Sequence, residues 1–360
     1  MSIATRVGNV RRRMAEQQLD AVIVTSRENV FYLSGFSGSS GDLIITMENA
    51  YLLTDFRYLK QAQIESPDFI LIDITKNFAS HLEQIVGRHN IGLLGFEDRQ
   101  VSYAVYNGMK QKMPRTMLRG IGDMISSLRI CKEGEEISRM QQAAHIGDLA
   151  FEHVVSVMKP GMTELEAAAE IEYAMKKHGA QRTSFDTIVA AGPNGAMPHA
   201  KPTDRPIAEG DLVVMDFGCV YEGYCSDMTR TVAVGKISEK QRSVYNMVLY
   251  AQLKALNHLK EGMRLADLDR LARETLDSFG YGEYFGHSLG HGVGIEIHEM
   301  PAVSSKSADE LQPGMVFSVE PGVYLNDEFG VRIEDTVTMV DGNPVILNHA
   351  TKDLIVIGGK

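Results

Sequence analysis

Two aspartates interrupt runs that otherwise read as buried strands. Residues 211–220 (DLVVMDFGCV) and 223–234 (GYCSDMTRTVAV) are rich in apolar and β-branched residues, with a Tyr-Glu-Gly turn between them. A hairpin centred between Tyr221 and Glu222 puts Asp216 directly opposite Asp227, with Cβ atoms about 4.5–5.5 Å apart. Moving the turn centre by one residue leaves the pair diagonal but on one face. Like charges facing each other destabilise a strand pair, and Asp is depleted in strands. A hard divalent cation is one compensation. A solvated hairpin face carrying two unrelated acids is the other.

Residues 285–300 (FGHSLGHGVGIEIHEM) contain His287, His291 and His298. Gly290, Gly292 and Gly294 surround His291, so the backbone there can approach a ligand closely. His287 and His291 have the spacing of a helical zinc site, but the Glu of HExxH is missing and the glycines disfavour a helix. GHGVG is not a GxGxxG phosphate loop either. Glu320 ends an apolar run in residues 316–322 (VFSVEPG), where an unpaired carboxylate is costly to bury. In residues 329–338 (FGVRIEDTVT), Arg332 and Glu334 share a strand face. Glu334 can pair with Arg332, bind metal, or do both. Asp216, Asp227, His291, Glu320 and Glu334 make an oxygen-rich set with one imidazole. Such a set suits Mn²⁺, Fe²⁺, Co²⁺ or Zn²⁺ better than a structural zinc site, which favours Cys. His199 lies in a Pro/Gly-rich loop, residues 192–205 (GPNGAMPHAKPTDR), and loops on rigid scaffolds often carry functional groups.

These residues need a scaffold of some size. The chain has 360 residues, about two domains at roughly 100–200 residues each. A formal charge of −11 argues against a nucleic-acid binder or a polybasic membrane anchor. Cys131, Cys219 and Cys225 have no metal-ligand spacing and read as reduced thiols of a cytoplasmic protein. No apolar stretch has the length of a signal or transmembrane segment. Short apolar runs at 21–25, 43–46, 50–54 and 69–74 predict strands, and 56–65 and 80–88 predict helices. Together they read as a compact α/β domain, ending near 125–134. A long helix is expected from about 135 to 158, stopped by Lys159-Pro160-Gly161. Lys159-Pro-Gly-Met162 returns as Lys260-Glu-Gly-Met263, with a helical pattern before and after each copy. That context predicts a duplicated half.

The order of Asp, Asp eleven later, His in GHG, Glu before Pro-Gly, and Glu fourteen later resembles the metallopeptidases of the pita-bread fold. Methionine aminopeptidase, aminopeptidase P and prolidase belong to that group. Residues 28–36 (ENVFYLSGF) and 54–58 (TDFRY) are similar to the small N-terminal domain of the Xaa-Pro-cleaving members and creatinase, a domain methionine aminopeptidases lack. The resemblance implies an α/β chain with a creatinase/prolidase-like domain over residues 1–128. A catalytic pita-bread domain, a duplicated α+β structure, would cover 129–360. It implies two divalent ions, with Mn²⁺ first and Co²⁺, Fe²⁺ or Zn²⁺ as alternatives. Asp216 would bind one ion, His291 and Glu320 the other, and Asp227 and Glu334 would bridge. Glu320 would take the proton of the attacking water. His199 would stabilise the oxyanion and His298 would contact the substrate carbonyl. His287 and Arg332 would line the pocket for the proline-side residue. The implied protein is a cytoplasmic, homodimeric Xaa-Pro dipeptidase acting on small peptides with proline second. Aminopeptidase P action on longer peptides is the alternative within that class. A metal-free binding module and a creatinase-like hydrolase are the alternatives from other classes.

Overall fold

A computed structural model describes residues 2–75 and 78–358. The chain divides into two compact units between Arg129 and Ile130. The first unit is built on a six-stranded mixed sheet. Its strands run in the order Ile70–Asp73, Ala50–Thr54, Asp42–Thr46, Ala21–Val24, Leu93–Phe96 and Met117–Gly120. Ala21–Val24 is buried along its whole length, as a continuous apolar run requires when both faces of a strand are covered. It pairs antiparallel with Asp42–Thr46 and parallel with Leu93–Phe96. The last two strands carry no long apolar run: Gly95 breaks one, and the other is largely exposed. The helix expected from residue 56 starts only at Leu59. Asp55 instead ties a turn by pairing with Arg57 at 2.8 Å.

The second unit is two copies of one plan. Helix Gly134–Val157 begins in a capping box between Glu133 and Glu136, satisfying amide groups that would otherwise be orphaned. It packs with Glu164–Lys177 against a sheet of Val356–Ile357, Met228–Val234, Leu212–Phe217 and Ile188–Ala191. The second copy sets helices Glu239–Asn257 and Leu265–Ser278 against a sheet of Glu299–Val303, Gly290–Gly292, Val316–Val319, Asp335–Val340 and Asn343–Ile346. The repeated tetrapeptide makes the same turn in both. Gly161 and Gly262 take φ of +88° and +79°, where only glycine is unstrained. Gly161 N–H donates to Ile207 O and Ile207 N–H to Met162 O, both at 2.8 Å. Gly262 and Leu311 repeat the exchange with Met263, again at 2.8 Å. Among the described residues, no helix is long and apolar enough to cross a membrane.

Two local expectations are corrected. The hairpin turns at Glu222–Gly223, with φ of 45° and 84°, so Tyr221 still pairs with Tyr224 as a strand residue. Two-residue turns with both φ positive match the twist of the flanking strands. The register then puts Asp216 opposite Thr229, and Asp227 is diagonal to Asp216 rather than facing it. The glycines around His291 also serve another purpose. A Cβ on Gly290 would run into the Ser318 backbone, and one on Gly292 into the Met300 carbonyl. Their missing side chains let neighbouring backbone come close. Gly290→Ala should therefore cost about 1–3 kcal/mol of stability, as overpacking does. Urea denaturation checks this, and an unchanged midpoint would show that the strands can part freely.

Candidate metal centre

A cavity of about 940 Å³ opens in the second unit, and all nine residues singled out above line it. The first copy contributes Asp216 from strand Leu212–Phe217 and Asp227 from the break before Met228–Val234. The second contributes His291 from the middle of Gly290–Gly292, Glu320 just after Val316–Val319, and Glu334 between Phe329–Arg332 and Asp335–Val340. Several of these carboxylates sit where a strand ends or breaks. Glu334 is locked across the copies by its N–H, which donates to Thr229 O at 3.1 Å.

One donor atom each from Asp227, His291 and Glu334 lie within 4.8 Å of one another. His291 Nε2 is 3.6 Å from Asp227 Oδ2 and 3.4 Å from Glu320 Oε1. Its Nδ1 lies 3.1 Å from Gly292 O. A proton on Nδ1 is used there, which leaves the Nε2 lone pair facing the carboxylates. Burial lowers the His291 pKa, keeping the ring neutral.

The acids sit in the opposite predicament. Burial raises the Asp227 pKa well above the ordinary range, and Asp216 and Glu320 add repulsion. Glu334 is raised by burial, then by Asp227 and Glu320. Glu320 is pushed up to about 7 by burial, with Arg332 opposing and Asp216 adding to the rise. Ser318 Oγ donates to Glu320 at 3.0 Å, and Thr229 Oγ1 to Glu334 at 2.6 Å. Asp216 Oδ1 is buried with no hydrogen-bond partner among the described residues. Clustered carboxylates, an orphaned carboxylate oxygen and a free imidazole nitrogen form a donor set that fits divalent cations.

Arg332 does not pair with Glu334. Its Nη2 donates to Asp216 Oδ2 at 2.5 Å, its Nε to Thr229 Oγ1 at 3.0 Å, and its Nη1 to Tyr324 Oη at 2.7 Å and Pro198 O at 3.2 Å. The strand stops at Arg332, so the alternation that would align Glu334 with it no longer holds. Beyond Tyr324 lies His287. Burial lowers its pKa to about 4, so it carries a single ring proton. Nδ1 faces Ser288 O at 2.8 Å and Nε2 faces Tyr324 Oη at 3.0 Å. Ser288 O can only accept, so the proton is on Nδ1 and Tyr324 donates to Nε2. The chain of bonds thus runs one way, from Arg332 through Tyr324 to His287. His298 stacks edge-on to His291 with ring centroids 4.2 Å apart. His298 and His199 are both exposed.

Thr229, Ser318 and Tyr324 were not foreseen from sequence. Thr229 and Ser318 each lie two residues from an acid of the set, on the same strand-like spacing, and could have been found that way. Tyr324 had no such signal.

Residues 138–341 match the model of metallopeptidase family M24, and residues 6–131 match the creatinase/prolidase N-terminal domain. The chain is 38% identical over 343 residues to an Xaa-Pro dipeptidase of Pyrococcus horikoshii, covering 95% of this chain and 96% of that one. An Xaa-Pro dipeptidase structure from Bacillus anthracis superposes with a TM-score of 0.96 at 37% identity, covering 99% and 100% of the two chains. An X-Pro aminopeptidase structure from Thermotoga maritima gives 0.91 at 38%, covering 96% and 100%.

The raised Glu320 pKa has a consequence for stability. Its carboxyl holds a proton up to about 7 when folded, against an ordinary 4.5. Its contribution to stability is therefore complete below pH 4.5 and lost as the pH rises through about 7. In metal-depleted protein, Glu320→Gln should gain stability relative to wild type across that interval. Tm measured against pH in chelator decides it, and parallel curves would contradict the assignment.

Proposed function

Because the chain belongs to metallopeptidase family M24, we propose that it is an Xaa-Pro dipeptidase, hydrolysing the bond between an N-terminal residue and proline. The observation that carries this reading is that Asp216, Asp227, His291, Glu320 and Glu334 line one cavity, with Asp216 Oδ1 left without a partner among the described residues. The full-length similarity to named Xaa-Pro dipeptidases supports the substrate. Asp216 would hold one divalent ion, His291 and Glu320 the other, and Asp227 and Glu334 would bridge, with Mn²⁺ preferred over Co²⁺, Fe²⁺ or Zn²⁺. When bound, the ions supply Lewis acidity that acidifies water and polarises the scissile carbonyl, as divalent pairs do across aminopeptidases.

The protein's own groups do the rest. Glu320, one oxygen fixed by Ser318, accepts a proton from the attacking water and returns it to the departing proline nitrogen. His199 and His298 offer N–H groups from the cavity lining to the carbonyl oxygen as negative charge grows there. His287 and Arg332, held by Tyr324, keep the wall on the proline side in one orientation. The scissile bond is a tertiary amide without an N–H, so recognition falls to shape. Leu165, Ala168, Phe185 and Ile188 supply apolar lining for the ring. A cytoplasmic homodimer completes the reading. Three free thiols accord with a reducing compartment.

Chelated protein should release no alanine from Ala-Pro and should recover on adding Mn²⁺. Asp227→Asn should lose most of that activity while keeping its circular dichroism spectrum. Activity retained by this variant at limiting metal would remove Asp227 from the ligand set. His199→Ala should lower kcat by about 10²–10³-fold with bound metal unchanged by elemental analysis. Equal losses of metal and turnover would make His199 a ligand instead.

A further inference from the structure

A dipeptide brings a second charge into the cavity, the carboxylate of its proline. Taking that anion out of water is unfavourable unless a cation meets it, and divalent ions held by Asp216, Asp227, Glu320 and Glu334 would already be matched in charge by those four acids. Among the lining residues, two are lysine or arginine: Arg332 and Lys201. Arg332 is 3% exposed, and each of its nitrogens already donates within the protein. Lys201 is exposed and has no hydrogen-bond or ion-pair partner among the described residues. Glu172 and Asp186 also line the cavity, but neither pairs with it.

The backbone that carries Lys201 is held firmly. Glu164 is fully buried, and its carboxylate accepts from Ala191 N at 2.8 Å and from Asn194 Nδ2 at 3.0 Å. On the other side of Lys201, the same carboxylate accepts from Thr203 N at 3.0 Å and Thr203 Oγ1 at 2.6 Å. Arg205 is anchored in turn on Asp211 at 2.8 Å. One buried carboxylate thus staples both arms of the loop that carries His199 and Lys201. The Lys201 ammonium is left as a mobile point charge on a fixed base. Such a charge suits a single carboxylate without demanding a planar fork.

We propose that Lys201 binds the free C-terminal carboxylate of the dipeptide and so favours dipeptides over longer or amidated Xaa-Pro substrates. This rests on the Xaa-Pro reading above. The test compares Ala-Pro with Ala-Pro-amide on metal-loaded wild type, Lys201→Met and Lys201→Arg. Lys201→Met should raise KM for Ala-Pro by about 3- to 10-fold, the range for an accessible charge-assisted contact, with kcat held within about twofold. Its constants for Ala-Pro-amide should not move, and Lys201→Arg should restore most of the lost affinity. An equal KM change on both substrates, or none on either, overturns the role of Lys201 while the peptidase reading stands. Wild type idle on both substrates overturns the peptidase reading and this proposal with it.

Discussion

Asp216, Asp227, Glu320 and Glu334 share one cavity with a single buried guanidinium, and much of the surrounding structure answers the repulsion this creates. Arg332 is drawn to Asp216. Thr229 and Ser318 turn their hydroxyls toward Glu334 and Glu320. His291 stays neutral and directs a lone pair at the acids instead of a charge. These contacts offset only part of the cost. Burial still holds Asp227, Glu320 and Glu334 above the ordinary carboxylate range. A protein that keeps such a cluster does so for a ligand that repays it, and hard divalent cations meet that description.

The duplication explains how the cluster is assembled. Each copy is a helix pair on a sheet, closed by the same glycine-bearing turn. Neither copy holds the full set. The first brings two aspartates and the second brings the imidazole and two glutamates. The copies are tied where Glu334 N–H meets Thr229 O and Arg332 N–H meets Thr231 Oγ1. Those bonds join the segment that carries Glu334 to the strand that follows Asp227. A third tie is Arg230, 1% exposed, which reaches the carbonyl of Glu334 and the carboxylate of Asp335. The positions of the acids are thus set by buried backbone contacts rather than by the acids themselves.

Much of this plan was legible in the residues. The apolar runs at 21–25, 43–46 and 50–54 become buried strands because burial on both faces tolerates little else. Ile70–Asp73, at the sheet edge, is instead exposed or half-buried throughout. Lys159-Pro160-Gly161 ends its helix as expected. The ligand types and their order are a chemical statement that needs no coordinates. The last two strands of the first unit carry no such apolar pattern, because Gly95 interrupts one and the other is an exposed edge.

What the chain alone determined was therefore the inventory: which side chains could bind metal, the elements that carry them, and the repeated turn. Tertiary structure decided who meets whom. A one-residue difference in the turn centre made Asp216 the cross-strand partner of Thr229 instead of Asp227. The end of a strand turned Arg332 from Glu334 toward Asp216. Tyr324 entered the site from a strand with no motif to announce it. Local sequence encodes periodicity and propensity, whereas cross-strand partners depend on register and on contacts between segments a hundred residues apart, about which local periodicity says nothing.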